Sequence, residues 1–349
     1  MNSRQRTPPT LDRQCILVTG GAGYIGSHVC VALLAADYDI VVIDDLSNSS
    51  SRVIDRIHSI SGRQFRFIQG DISDESLVTS LLANRAIQGV VHLAGFKAVA
   101  ESVVKPLSYY SNNFGGTLSL LNAMEATGTD TLVFSSSATV YGNPDVVPIQ
   151  ESAARKPESP YGRSKLMVEQ LLEDYQTANP HFSVGLLRYF NPVGAHQSGL
   201  IGESPKGIPN NLMPYIAQVA IGQREELSVF GGDYGTRDGT CERDYVHVVD
   251  LALGHVSALN YLLCNKALVT LNLGTGKPIS VLAMIDAFES ACGVTISRRM
   301  THRRSGDVPA YWANVDKAYQ LLEWKAEKGL ADMCLDTWRW QMNNPRGYE

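Results

Sequence analysis

Tyr161 and Lys165 stand four residues apart in Ser159-Pro160-Tyr161-Gly162-Arg163-Ser164-Lys165. Ser159 can cap a helix, Pro160 suits its first turn, and a spacing of four puts both side chains on one helical face. A phenol loses its proton near pH ~10. A neighbouring ammonium favours the phenolate and pulls that value down, so the pair can act as a general base in alcohol oxidation. A plain surface helix would carry the same spacing. The meaning of the pair therefore rests on its surroundings.

Two other segments carry groups suited to such a reaction. In Ser135-Ser136-Ser137-Ala138-Thr139-Val140-Tyr141-Gly142 the Ser137 hydroxyl can share a substrate proton with Tyr161, although a serine-rich strand end also satisfies backbone groups. Gly20-Gly21-Ala22-Gly23-Tyr24-Ile25-Gly26 follows an apolar run and opens a helical pattern. Glycines at 20, 23 and 26 permit a tight turn, close approach to a pyrophosphate and close helix–sheet packing, with the helix N-terminus facing the phosphates. Asp44, 18 residues after Gly26, ends the next apolar run. A carboxylate there accepts from the adenosine ribose hydroxyls and repels a 2′-phosphate, which selects NAD over NADP.

The elements that must position these groups alternate. Short β-branched runs predict strands over 16–19, 40–43, 65–68, 89–93, 131–135 and 183–188. Helical patterns lie between them over 25–36, 75–83, 107–126 and 161–176. Apolar runs this short suit strands buried on both faces of a parallel sheet, and the alternation predicts an α/β, Rossmann-like doubly wound fold.

After Arg188 the texture changes. Residues 191–214 are rich in Gly, Pro and Asn and read as a ligand-lining loop segment. Helical patterns follow over 214–221, 281–291, 315–322 and 330–341. The expected division is a flexible tail over 1–13, an NAD-binding domain over 14–190 and a smaller mixed α/β substrate domain over 191–349. Parts of 240–275 are expected to return to the first domain, with 246–262 as a helix and 269–273 as a strand.

Composition narrows the function classes. The chain has 349 residues, 44% hydrophobic and 19% charged, with a formal net charge of −5. This argues against a nucleic-acid or anionic-membrane surface, and an anionic ligand must be held by local Arg or N–H groups. No apolar run reaches membrane-spanning length. Six cysteines at 15, 30, 241, 264, 292 and 334 lack a CxxC pattern, which suits reduced thiols in a cytoplasmic protein. The eight histidines show no metal spacing, so structural roles and no metal are expected.

The Gly-x-x-Gly-x-x-Gly loop together with Tyr161-x-x-x-Lys165 resembles the extended short-chain dehydrogenase/reductase superfamily, from about residue 15 to the end. Within it, dehydratases of nucleotide sugars carry an Asp-Glu pair where this chain has Ala138 and Thr139, so elimination lacks its acid and base. Further segments narrow the likeness: 94–99, 134–142, Arg188-Tyr189-Phe190-Asn191-Pro192-Val193-Gly194-Ala195, 207–214, 243–248 and 304–312. With them the chain resembles the UDP-glucose 4-epimerase (UDP-galactose 4-epimerase) family throughout.

That resemblance implies an isomerase that interconverts UDP-galactose and UDP-glucose with NAD, through a 4-keto intermediate. It implies that Asp71 and Ile72 meet the adenine. Lys97, Asn112 and Ser135 would hold the ribose and phosphate part of NAD, and Lys165 the nicotinamide ribose. Asn191 and Asn211 would bind the nucleotide sugar, Arg243 and Arg304 clamp its diphosphate, and Asp307 hold the uridine ribose. The forked donors of Arg suit phosphate oxygens. Tyr311 stands where family members that accept N-acetylated sugars have a smaller residue, which favours the plain hexose. A homodimer through two helices per subunit, those over 107–126 and 161–176, is also implied. Epimerases of UDP-N-acetylglucosamine or UDP-glucuronate, and a non-catalytic NAD-binding sensor, are the alternative readings. Asp45, Arg163 and Ser305 depart from the family's common residues without removing a catalytic group.

Overall fold

Seven short apolar segments line up in parallel as one sheet. They are β1 (Cys15–Thr19), β2 (Asp39–Asp44), β3 (Arg66–Gln69), β4 (Ile87–His92), β5 (Thr131–Ser137), β6 (Ser183–Tyr189) and β7 (Leu268–Leu273). Their spatial order is β7-β6-β5-β4-β1-β2-β3. The chain thus winds one way from β1 and then the other from β4, which leaves a crevice at the carboxyl ends of β1 and β4. The computed structural model describes residues 13–83, 87–207, 209, 211–304 and 306–349. The expected tail, apart from Arg13, lies outside them, as do Ile208, Asn210 and Ser305 of the quoted motifs.

The sheet is held by burial on both faces. Ile16, Val18, Val42 and Val91 pack on one side with Val29, Leu33, Leu251 and Leu259. Leu17, Ile43, Val90, Leu132 and Phe134 pack on the other with Leu120, Met124, Val168 and Leu172. The helices Tyr24–Ala35 and Val248–Cys264 share the first side, and β7 pairs with β6 at the sheet edge. A third cluster, including Met213, Ile216, Val229, Met284 and Phe288, forms the core of the smaller part. There the strand Glu242–His247 is flanked by Pro278–Ser280, Ala310–Tyr311 and Asn191–Val193.

Two expected segments differ in form: Asn191–Val193, within the expected loop, is a strand, and one expected helix is not continuous. The helix over 107–126 is interrupted: Pro106–Tyr109 and Gly116–Thr127 are α-helical, and Tyr110–Gly115 between them is a π turn. Apolar periodicity cannot signal a single wider turn, and such turns cluster at functional sites. This one carries Asn112 and Asn113.

Candidate active site

Lys165 and Tyr161 share one face of the helix Pro160–Ala178, as their spacing requires. Ser159 Oγ accepts from Gly162 N at 3.1 Å, and Pro160 occupies the first turn. Lys165 is 5% exposed. Its Nζ donates to the Ser135 carbonyl at 2.7 Å and lies 4.8 Å from the centre of the Phe134 ring. Burial lowers its pKa to about 8, and the Glu169 carboxylate opposes that fall.

Ser137 ends β5 and caps the 3₁₀ turn Ala138–Tyr141. Its Oγ accepts from Thr139 Oγ1 at 2.9 Å and from Thr139 N at 3.2 Å, which leaves its own proton for another acceptor. The Tyr161 oxygen is that neighbour: burial raises the phenol's pKa, and the hydrogen bond with Ser137 lowers it in part. In the ligand-free site the desolvation outweighs that hydrogen bond, so the phenol stays protonated. Tyr161 remains half-buried, with its ring edge-on to Tyr109.

The glycine loop follows β1 and opens the helix Tyr24–Ala35. A side chain at Gly20, where φ is +69°, would meet Ala94 N at 2.6 Å, and one at Gly26 would meet Gly20 O at 2.1 Å. The loops after β1 and β4 therefore touch at the crevice, where no side chain would fit at Gly20. Asp44, at the end of β2, is 8% exposed. It accepts from Ala22 N at 3.0 Å, Leu46 N at 2.9 Å and Ser49 Oγ at 2.7 Å. A carboxylate has about four acceptor positions, so a ribose hydroxyl can still be received. Beyond Asp44 lies an open cavity of about 460 Å³ lined by Asp71, Ser73, Phe96, Leu107, Ser111 and Asn112. Ile72 packs its side chain into the core against Gly116, leaving only its backbone to meet a ligand. Tyr24 donates from its hydroxyl to the Gly194 carbonyl at 2.7 Å; Ile25 packs against the core. The cradle and the cavity fit a dinucleotide.

The second half brings further groups to this side. Arg243 donates to the Val308 carbonyl at 2.8 Å, and its Nη2 lies 3.7 Å from Asp307. Arg304, 60% exposed, holds Asp307 through two contacts, 2.9 and 3.2 Å. Two guanidinium groups thus converge on one carboxylate. The Tyr311 hydroxyl donates to the Ala138 carbonyl at 2.5 Å, and its ring packs on Phe190. Tyr311 is thereby fixed next to the Ser137 turn. Asn191 opens its short strand and is partly exposed.

The family described as GDP-mannose 4,6 dehydratase matches residues 17–337. The UDP-glucose 4-epimerase of Yersinia pestis is 54% identical over 334 residues, spanning 95% of this chain and 99% of that protein. The one from Bacillus subtilis is 54% identical and spans 96% and 98%. The chain belongs to the UDP-glucose 4-epimerase family. Solved epimerase structures agree over the whole fold. That from Stenotrophomonas maltophila, with bound NAD and formylated UDP-arabinopyranose, has a TM-score of 0.94, 50% identity and coverage of 96% and 99%. That from Bifidobacterium longum, in complex with NAD+ and UDP, has a TM-score of 0.91, 47% identity and coverage of 95% and 99%. The doubly wound fold is thus the epimerase fold.

Three groups of this epimerase-family site were not legible in the sequence. Glu203, 11% exposed at its side chain, accepts from Lys97 Nζ at 2.9 Å and from Asn211 Nδ2 at 3.0 Å. Nothing in the local pattern marks it. Asn113 accepts from Phe96 N at 2.8 Å and donates to Ser164 Oγ at 3.0 Å, which ties the loop after β4 to the Tyr161 helix. The adjacent Asn112 was the only signal available. Thr139 orients Ser137, although its absence of charge had suggested only what it cannot do.

Proposed function

We propose that this chain interconverts UDP-galactose and UDP-glucose by reversible oxidation at C4 through a 4-keto sugar. The observation that carries this reading is the convergence of Ser137, Tyr161 and Lys165 at the end of β5, with uncharged Ala138 and Thr139 beside them. Tyr161 takes the proton of the 4-hydroxyl while Ser137 shares the hydrogen bond. The Lys165 ammonium stabilises the resulting phenolate. NAD, when bound, supplies the reversible hydride acceptor. The crevice residues Gly20, Gly23, Tyr24, Ile25, Gly26, Asp44, Asp71, Ile72, Lys97, Asn112 and Ser135 hold that cofactor, with Lys165 on its nicotinamide ribose.

Arg243 and Arg304 clamp the substrate diphosphate, which draws them from Asp307 and frees that carboxylate for the uridine ribose. Asn191 and Asn211 hold the sugar end. The anchored diphosphate lets the keto sugar turn over before Tyr161 returns the proton, so C4 inverts without net redox change. Ala138 and Thr139 cannot move the extra protons of dehydration. Tyr311 crowds the space for an acetamido group and selects the plain hexose.

The domain division at about residue 190 is part of this proposal, with the helix Val248–Cys264 and β7 counted with the cofactor domain. So is a homodimer. Val103, Val104 and Leu107 are 63%, 80% and 82% exposed, and Leu118 and Met167 add apolar surface on the two helices expected to pair. Six free cysteines suit a reducing, cytoplasmic setting, and among the described residues no helix is long and apolar enough to cross a membrane.

Purified protein incubated with UDP-galactose and no added cofactor should yield UDP-glucose without net NADH. A 4-keto-6-deoxy product would replace this reading with dehydration.

A further inference from the structure

Glu169 lies one turn beyond Lys165 in the same helix and is fully buried. Every oxygen of its carboxylate is engaged. Oε1 accepts from Ser136 Oγ at 2.5 Å and from Arg188 Nε at 2.9 Å. Oε2 accepts from Arg188 Nη2 at 2.7 Å and from Arg155 Nη1 at 3.2 Å. Arg188 is itself 2% exposed, and it donates onward to the Tyr141 hydroxyl and the Glu151 carbonyl. Burying such a pair carries a heavy desolvation cost, and apolar packing often serves stability as well. Stability alone is therefore a poor account of it.

Its position supplies another. Ser136 stands between Ser135, whose carbonyl receives Lys165, and Ser137, whose hydroxyl meets Tyr161. Ser136 is also the register partner of Arg188 across β5 and β6. One carboxylate thus grips the strand end while standing four residues along the helix from Lys165, whose charged form it favours. Among the described residues, the other surroundings of Lys165 offer it no negative charge. From β4 comes His92, whose pKa burial lowers to about 3, so it is neutral. From β5 come the Phe134 ring and the Ser135 carbonyl. From the loop after β4 comes the Gly95 backbone, and from its own helix the neutral Tyr161. Arg188 and Arg155 stand behind Glu169, and Glu173 neutralises Arg155 at 2.7 Å.

We propose that Glu169 is a positioning residue for the reaction: its charge keeps Lys165 an ammonium, and its bond to Ser136 fixes the carbonyl and hydroxyl that meet Lys165 and Tyr161. This rests on the reading that turnover needs a protonated Lys165. Glu169 touches neither substrate nor cofactor. Its influence passes through Lys165, against the desolvation that lowers the Lys165 pKa.

The test uses the holoenzyme and two variants of opposite sign. Glu169→Gln removes the negative charge and should move the alkaline limb of kcat down by about one pH unit. The loss should be about tenfold at pH 9 and under about twofold near pH 6.5. Arg155→Met leaves Glu169 less neutralised and should move the same limb upward. In parallel, the Lys165 side-chain carbon is titrated by NMR in the full chain labelled with 13C-lysine. Its midpoint should fall in the first variant and rise in the second. Equal loss of kcat at every pH, or a midpoint that stays put or moves the same way in both, overturns the proposal. If Glu169→Gln does not fold, Arg155→Met decides by the sign of its shift. Opposite shifts in a protein without epimerase activity would leave the Glu169 role standing and remove the proposed reaction.

Discussion

Lys97 Nζ lies 2.9 Å from Glu203 Oε1, joining the loop after β4 to the segment that follows Asn191–Val193. The same oxygen receives Asn211 at 3.0 Å. A residue expected on the cofactor phosphates and one expected on the nucleotide sugar therefore share a single carboxylate. The cofactor side and the substrate side are mechanically joined there.

Lys97→Met tests that junction. It removes a charge-assisted contact from the phosphates and strands Glu203, which is largely buried. NAD affinity should fall about 10- to 100-fold, corresponding to about 1.4–2.8 kcal/mol. NAD retained after extensive dialysis measures it. Retention equal to the parent protein would place the phosphates elsewhere.

Tyr161→Phe removes the proton acceptor and its hydrogen bond with Ser137 while keeping the ring. Turnover of UDP-galactose should drop by about 10² to 10⁴. UDP affinity, read by calorimetry, should stay within about twofold, since the Arg243 and Arg304 contacts are untouched. Turnover within tenfold of the parent would exclude this phenol as the base.

Burial of Lys165 has a stability consequence with a definite sign. Its folded pKa is about 8 against an ordinary 10.5. Between those values the unfolded chain holds a proton that the folded one does not, so stability rises with pH across the window. Below pH 8 the full penalty applies, about 3 kcal/mol in the ligand-free protein. Lys165→Met should therefore raise the unfolding temperature at pH 7 while abolishing turnover, with the stability gain vanishing near pH 10.5. A lower unfolding temperature at pH 7 would contradict this account.

Tyr311→Ser opens the space beside Phe190 and the Ala138 carbonyl. Activity on UDP-N-acetylglucosamine, relative to UDP-glucose, should rise about 10- to 100-fold. The lost packing and hydrogen bond should lower stability by about 1–3 kcal/mol. An unchanged substrate ratio would assign the discrimination to another wall of the pocket.

What the amino-acid sequence determined by itself is what depends on near neighbours in the chain. Ser159, Pro160, Tyr161 and Lys165 lie within seven residues, so helix geometry and capping already aligned the reactive pair. Gly20, Gly23 and Gly26 likewise declared a phosphate-binding turn, because only glycine tolerates such close backbone approach. The β-branched runs declared the strands, most of which are buried on both faces, whereas β3 at the sheet edge is exposed at Arg66 and Gln69. Only the tertiary structure decided contacts between distant segments. Glu203 and Lys97 are 106 residues apart, Asn113 and Ser164 are 51, and Tyr311 and the Ala138 carbonyl are 173. No local pattern encodes such meetings, because they arise from how sheet and loops stack. The same holds for protonation. Spacing placed an ammonium near a phenol and suggested a lowered pKa, whereas the assembled core removes water from both, raising the phenol, lowering the ammonium and leaving Ser137 and Glu169 to offset the shifts.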